Sequence, residues 1–273
     1  MKSIFCCLFL LLTLYSNGQF KVEKVDRASS DLPEDSPSLS PDGKRLIFLR
    51  SVTTEWPQLV YRQAFALDLS SPGQMPVALG IDSVYTASFG LDGESLFLSQ
   101  RLVNEAGDRG GFYLARPMPQ GWQKEDLKGR DGFSASYVSQ VSGGSIYFFS
   151  ADGAEGPGIY RAQWNGTHFE KPIWQGAQLS PAGTTAFGPY VCPDESAMLL
   201  TVYYEADGET GRTGIYRAER RADGWKVEQI PGMPYGWSFS LSPDGDTLYF
   251  TDGEDIYRLQ APSGDLPFAC PKK

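Results

Sequence analysis

At 273 residues, with 41% apolar and 13% aromatic side chains, the chain can bury a substantial core, which excludes global disorder and allows one large domain or two small ones. Its 33 acids outnumber 24 bases, for a formal charge of −9, and no basic run occurs. That balance excludes nucleic acid and anionic membrane surfaces as partners, because both are held by clustered Lys and Arg.

In chain order, residues 1–18 read as a signal peptide: Lys2, an apolar run from Ile4 to Leu14, then Ser16-Asn17-Gly18 as the cleavage site before Gln19. The run is too short to span a bilayer. The expectation is export to the periplasm or the medium, with no membrane insertion once the signal is removed. Cys192 and Cys270 then remain. In an oxidising compartment they could pair and tie down the C-terminal tail, residues 263–273; the spacing leaves this open. Neither has a second Cys or a His at metal-ligand spacing.

The stretch QFKVEKV (19–25) reads as a lone strand. Beyond it, SLSPDGKRLIFLRS (38–51) opens a series continued by SFGLDGESLFLSQR (88–101), SQVSGGSIYFFSAD (139–152), YVCPDESAMLLTVY (190–203) and FSLSPDGDTLYFTD (239–252). Their turn positions, Asp42, Asp92, Gly143, Asp194 and Asp244, are separated by 50, 51, 51 and 50 residues. A second motif follows in each unit: FALDLS (65–70), GFYLAR (111–116), GIYRAQ (158–163), GIYRAE (214–219) and DIYRLQ (255–260). Fourth strands come next as GWQKEDL (121–127), THFEKPI (167–173) and GWKVEQI (224–230). Four short strands per 50-residue unit predict a β-propeller. The last unit ends after its third strand, and QFKVEKV matches GWKVEQI, so Phe20 to Val25 are expected to complete that blade. The fold expectation is all-β: one five-bladed propeller of four-stranded antiparallel blades over residues 19–262.

S-P-D-G before an apolar strand, with G-I-Y-R-A after it, resembles the WD40-like PD40 repeats of TolB-type exported bacterial propellers. That resemblance covers nearly all of the chain after residue 18 and implies the fold, not a chemistry. SGG (142–144) and PDE (193–195) depart from the pattern at two turns.

The aspartates of these turns read as hairpin chemistry: Pro presets φ, Asp bonds its own backbone, and Gly takes the left-handed conformation. They are expected radially apart and wet, with ordinary pKa values, and so unable to act on one substrate. Ligand chemistry is expected instead where the loops leading into each first strand converge on the channel. Tyr85, Tyr137, Tyr190, Tyr235 and Trp237 are the candidate binding residues there, since ring faces stack on sugars or peptides; any one of them could equally plug the ring. Asp35, Asp82 and Asp131 come from three successive lead-in loops and form the candidate carboxylate set. The single histidine, His168, falls in an outer turn and supports neither a zinc motif nor a serine triad. The Gly-rich loops at 104–111, 150–158 and 204–214 lack the calcium-loop pattern, and Asn165-Gly166-Thr167 reads as a plain turn.

The leading expectation is therefore a monomeric, non-catalytic ring without cofactor that binds an envelope protein or glycan. The alternative is a carbohydrate-active hydrolase of the five-bladed glycosidase type using Asp35, Asp82 and Asp131.

Overall fold

The computed structural model describes residues 20–55, 62–104, 107–127, 133–180, 183–204, 213–261, 266 and 268–270. Its strands form five antiparallel four-stranded sheets. Blade one is β2 (Glu34–Leu39), β3 (Arg45–Ser51), β4 (Arg62–Asp68) and β5 (Val77–Ala78). Blade two is β6 (Thr86–Phe89), β7 (Leu96–Asn104), β8 (Gly107–Met118) and β9 (Gly121–Asp126). Blade three is β10 (Ser136–Gln140), β11 (Ile146–Ser150), β12 (Gly158–Ala162) and β13 (Ile173–Trp174). Blade four is β14 (Thr184–Val191), β15 (Ala197–Tyr204), β16 (Gly214–Arg221) and β17 (Gly224–Gln229). Blade five takes β18 (Trp237–Leu241), β19 (Thr247–Thr251) and β20 (Ile256–Gln260) from the end of the chain, and β1 (Lys21–Lys24) from its start.

The closing strand pairs Lys21 with Gln260 through to Lys24 with Tyr257, so both chain ends share one sheet as the repeat arithmetic requires. Glu23 strengthens the seam by accepting from the Arg258 guanidinium at 2.7 Å. The fourth strand of blade three differs from expectation. Pro172 has no N–H to give a ladder, and the Asn165 carboxamide closes a turn on the N–H groups of Thr167 and His168. Only Ile173 and Trp174 pair with β12.

Apolar alternation along the strands builds a layer between each pair of neighbouring blades. Ile47, Leu49 and Ala64 of blade one meet Leu96, Leu98 and Ala115 of blade two. Tyr147 and Ile159 of blade three meet Met198, Leu200 and Trp225 of blade four. The last layer returns to the start, with Tyr249 and Ile256 of blade five against Leu46, Phe48 and Leu67 of blade one.

The described residues beyond β20 are docked. Leu266 and Phe268 are buried in the layer between blades four and five, Phe268 facing Phe20 with ring centroids 6.0 Å apart. Cys270 is disulfide-bonded to Cys192, which precedes the β14–β15 turn.

The turn chemistry holds in detail. Asp42, Asp194 and Asp244 each accept a hydrogen bond from the backbone N–H two residues on. Gly43 and Gly245 take φ of +72° and +80°. In blade four Glu195 occupies the left-handed position at φ +60°, an uncommon conformation for a residue with a Cβ. Its carboxylate is held across the blade seam by Arg161 at 3.0 Å and by the Tyr147 hydroxyl at 2.6 Å, which offsets the backbone cost. Two expectations about these turns are corrected. Bonds from the Ser40 hydroxyl and the Lys44 N–H hold the Asp42 carboxyl below the ordinary aspartate range. The turns are also not radially separate: a Cβ added at Gly43 would lie 3.0 Å from Cδ of Pro243, and one at Gly93 would lie 3.3 Å from Cδ of Pro41. Together they form the rim of a funnel.

Candidate functional site

Each blade's innermost strand begins at the lead-in end of the channel, and four of the five carry a register shift. Bulges fall between Asp35 and Ser38, Ser136 and Ser139, Phe187 and Tyr190, and Trp237 and Ser240. Left-handed residues mark them: Ser36, Tyr137, Gly188 and Ser238, with φ between +52° and +62°. Bulges of this kind re-aim side chains, and non-Gly residues held in this region concentrate at functional sites.

Among the described residues, Asp35 is the carboxylate at this ring. It is 2% exposed. One oxygen pairs with Arg62 at 3.0 Å. The other accepts from the Ser36 N–H and from the Trp237 indole N–H, the latter a long bond at 3.3 Å. Arg62 is itself positioned by donating to the Tyr85 carbonyl at 3.0 Å, with its guanidinium 5.9 Å from the Tyr85 ring centre. Aromatic rings then continue around the channel. Tyr85 meets Tyr137 at 6.3 Å, Tyr137 meets Phe187 at 6.0 Å, Phe187 meets Trp237 at 6.3 Å, and Trp237 meets Tyr235 at 6.0 Å. Burial, with Tyr85 and Asp35 close by, raises the Tyr137 phenol well above its ordinary value. Tyr235, 41% exposed, is the solvent edge of the cluster.

Four of the five candidate aromatics therefore converge with Asp35. Tyr190 does not: the bulge after Phe187 gives that residue the ring position and places Tyr190 deeper in β14. Burial pushes the Tyr190 phenol up to about 12, while its oxygen accepts the Leu241 N–H of blade five. Of the candidate acids, Asp82 is exposed and its carbonyl, not its carboxylate, takes the Gln100 amide. Asp131 lies outside the described residues. The positions equivalent to Asp35 in the ladder register hold Thr86, Ser136, Phe187 and Trp237. Among the described residues no group of three His, Cys, Asp or Glu is placed to hold a metal.

Sequence reasoning missed Arg62 and the role of Phe187. Arg62 enters from the third strand of blade one, where no repeat motif flags it. Also missed were the hydroxyls that tie the inner strands together. Ser38 accepts the Phe89 N–H of blade two, Ser139 the Val191 N–H of blade four, and Ser240 the Leu39 N–H of blade one, at 3.0, 2.9 and 2.8 Å. Ser38, Ser139 and Ser240 occupy one repeat position, a signal that the turn motif beside it overshadowed.

No family model matches this sequence, and no curated protein matches it. Its fold is similar to the crystal structure of an alpha-L-arabinofuranosidase from Lactobacillus brevis, with a TM-score of 0.58, 14% identity, and 92% of this chain and 98% of that one covered. It is also similar to a GH43_1 enzyme from Xanthomonas citri complexed with xylotriose, with a TM-score of 0.54, 13% identity, and coverage of 90% and 92%. Identity at this level speaks to the fold. The expectation of a non-catalytic binding ring is corrected by this finding: these two rings, matched over nearly their whole length, are enzymes, so the architecture does not mark a binding module.

Proposed function

We propose that this propeller is a carbohydrate-active hydrolase working at the lead-in end of its channel, with Asp35 activating water. The observation that carries the reading is the surrounding of Asp35: a nearly buried carboxylate, oriented by Arg62, within a wall of Tyr85, Tyr137 and Trp237. Aromatic faces stack on the apolar faces of sugar rings, while the polar groups between them take hydroxyls. The names of the two rings similar in fold, an arabinofuranosidase and an enzyme complexed with xylotriose, point to pentose-containing substrates.

In this reading a substrate hydroxyl replaces the long Trp237 bond to Asp35 as the sugar enters past Tyr235. Glycoside hydrolysis needs a second carboxyl group, about 6.5 to 9.5 Å away for inversion and about 5 to 5.5 Å for retention. Asp131 is assigned that role as the acid, and the exposed Asp82 none. The repeats are placed with the PD40 repeats of TolB-type propellers. The protein is placed outside the cytoplasm, which the Cys192–Cys270 disulfide supports.

The test is a panel of aryl arabinofuranosides and xylosides with arabino- and xylo-oligosaccharides, incubated with the purified protein. At least one should be cleaved, with a new reducing end for each bond broken. No turnover of any of them overturns the reading.

A further inference from the structure

The turn face opens into a funnel of about 550 Å³ whose lining comes from all five blades. Directly beneath it lies a second void of about 30 Å³. The two share one residue from each blade, Ser38, Ser88, Val138, Pro189 and Phe239, which together form the constriction between them. The deeper void is also lined by Ser36, Tyr137 and Ser238, the bulged residues next to the Asp35 ring. The two voids therefore meet at one layer of residues, between the turn face and the foot of the candidate site.

Two hydroxyls on this path, those of Ser88 and Ser238, are buried without a hydrogen-bond partner among the described residues. Ser88 is the exception in its own set, because Ser38, Ser139 and Ser240 each accept an N–H from the next blade. A buried hydroxyl left without a partner destabilises the fold unless water satisfies it. A polar cavity holds a water once it offers the water centre about 10 to 15 Å³ and several polar partners. This void meets both conditions. Ser36 completes the path, its hydroxyl 3.4 Å from the nearer Asp35 oxygen.

We propose that the channel is a water line: water enters by the turn-face funnel, rests on the Ser88 and Ser238 hydroxyls, and reaches Asp35 past Ser36. It rests on the hydrolase reading above and adds where the reactant comes from. Each cleavage consumes one water. Its oxygen bonds to the anomeric carbon as the glycosidic C–O bond breaks, one proton goes to Asp35, and the leaving oxygen takes a proton from the acid. A supply from the face opposite the sugar lets the substrate seal the aromatic end without starving the reaction.

The experiment pairs a high-resolution crystal structure with kinetics on the full chain, using wild type, Ser88→Val, Ser88→Thr and Ser238→Val. Expected are ordered waters bonded to both hydroxyls in wild type and their loss in the valine variants. With a cleaved glycoside, kcat in Ser88→Val should fall about tenfold at unchanged KM. Ser88→Thr, which keeps the hydroxyl, should restore it. A dry void in wild type overturns the proposal, and so does an unchanged kcat in both valine variants. Absence of turnover by wild type counts against the hydrolase reading instead, and the crystallographic arm still decides whether the channel is wet.

Discussion

Replacing Cys192 and Cys270 together by alanine should cost about 4 kcal/mol of stability and lower Tm by roughly 10 °C. The two cysteines are 78 residues apart, so the bond removes a large amount of chain freedom from the unfolded state. In the folded state it anchors a segment whose Leu266 and Phe268 lie in the layer between blades four and five. Ala269 packs against the Gly245 turn, where an added Cβ would lie 3.0 Å away, so release of the tail also loosens the funnel rim. Urea unfolding of wild type and double variant, each with and without reductant, measures this. The reductant should reproduce the double variant's loss in wild type and leave the variant unchanged. A loss under about 1 kcal/mol would mean that packing alone holds the tail, since the loop-closure contribution would then be missing.

Arg50→Met should destabilise the ring by about 3 kcal/mol near neutral pH, and by less as the pH falls toward about 4. Glu34 is 0% exposed, with one oxygen bonded to Arg50 at 2.9 Å and to the Ser30 hydroxyl at 2.6 Å; its other oxygen has no partner among the described residues. Burial already raises the Glu34 carboxyl above the usual range, against the pull of Ser30 and Arg50. A carboxyl whose folded pKa exceeds its unfolded value binds more protons when folded, so its stabilisation is complete below the unfolded value and is lost as pH rises through the folded one. Removing the guanidinium leaves the ionised form uncompensated, and protonation relieves it. The location makes the effect large. Glu34 starts β2 and bonds blade five through its N–H to Glu254 and its carbonyl to Thr251, so the pair guards the closing seam. Denaturation curves for wild type and variant at both pH values give the difference directly. A deficit that does not change with pH would mean that the guanidinium contributes through its bond to the Ala28 carbonyl and its packing on Phe65 and Phe48, not through Glu34.

The ring was legible because its repeat is nearly constant and each copy carries its own turn. A missing fourth strand in the last unit and a spare strand at the start identify one another, which is why the place of β1 is legible in the sequence. Less was legible where tertiary contact overrides local pattern. THFEKPI has the length of a strand, yet Pro172 and the Asn165 turn reduce the pairing to two residues. Glu195 looked like a broken turn and proves to be held by Arg161 and Tyr147 of the neighbouring blade. The site was legible in part for the same reason. Tyr85, Tyr137 and Trp237 could be read from their places before the first strands. Tyr190 could not be told from Phe187, because a bulge decides which of them faces the ring. Arg62 was invisible, since its meaning comes from Asp35 across the blade and not from its own neighbours in sequence.

The most direct measurement of the central claim is the turnover of a cleaved pentoside by Asp35→Asn, which keeps the size and hydrogen-bonding capacity of the side chain and removes its charge. Loss of the Arg62 pair lowers the variant's Tm, but the variant stays folded at the assay temperature, while kcat falls by about 10² to 10⁴, the loss expected when a catalytic base is removed. Turnover by Asp35→Asn within a few-fold of wild type would contradict the account.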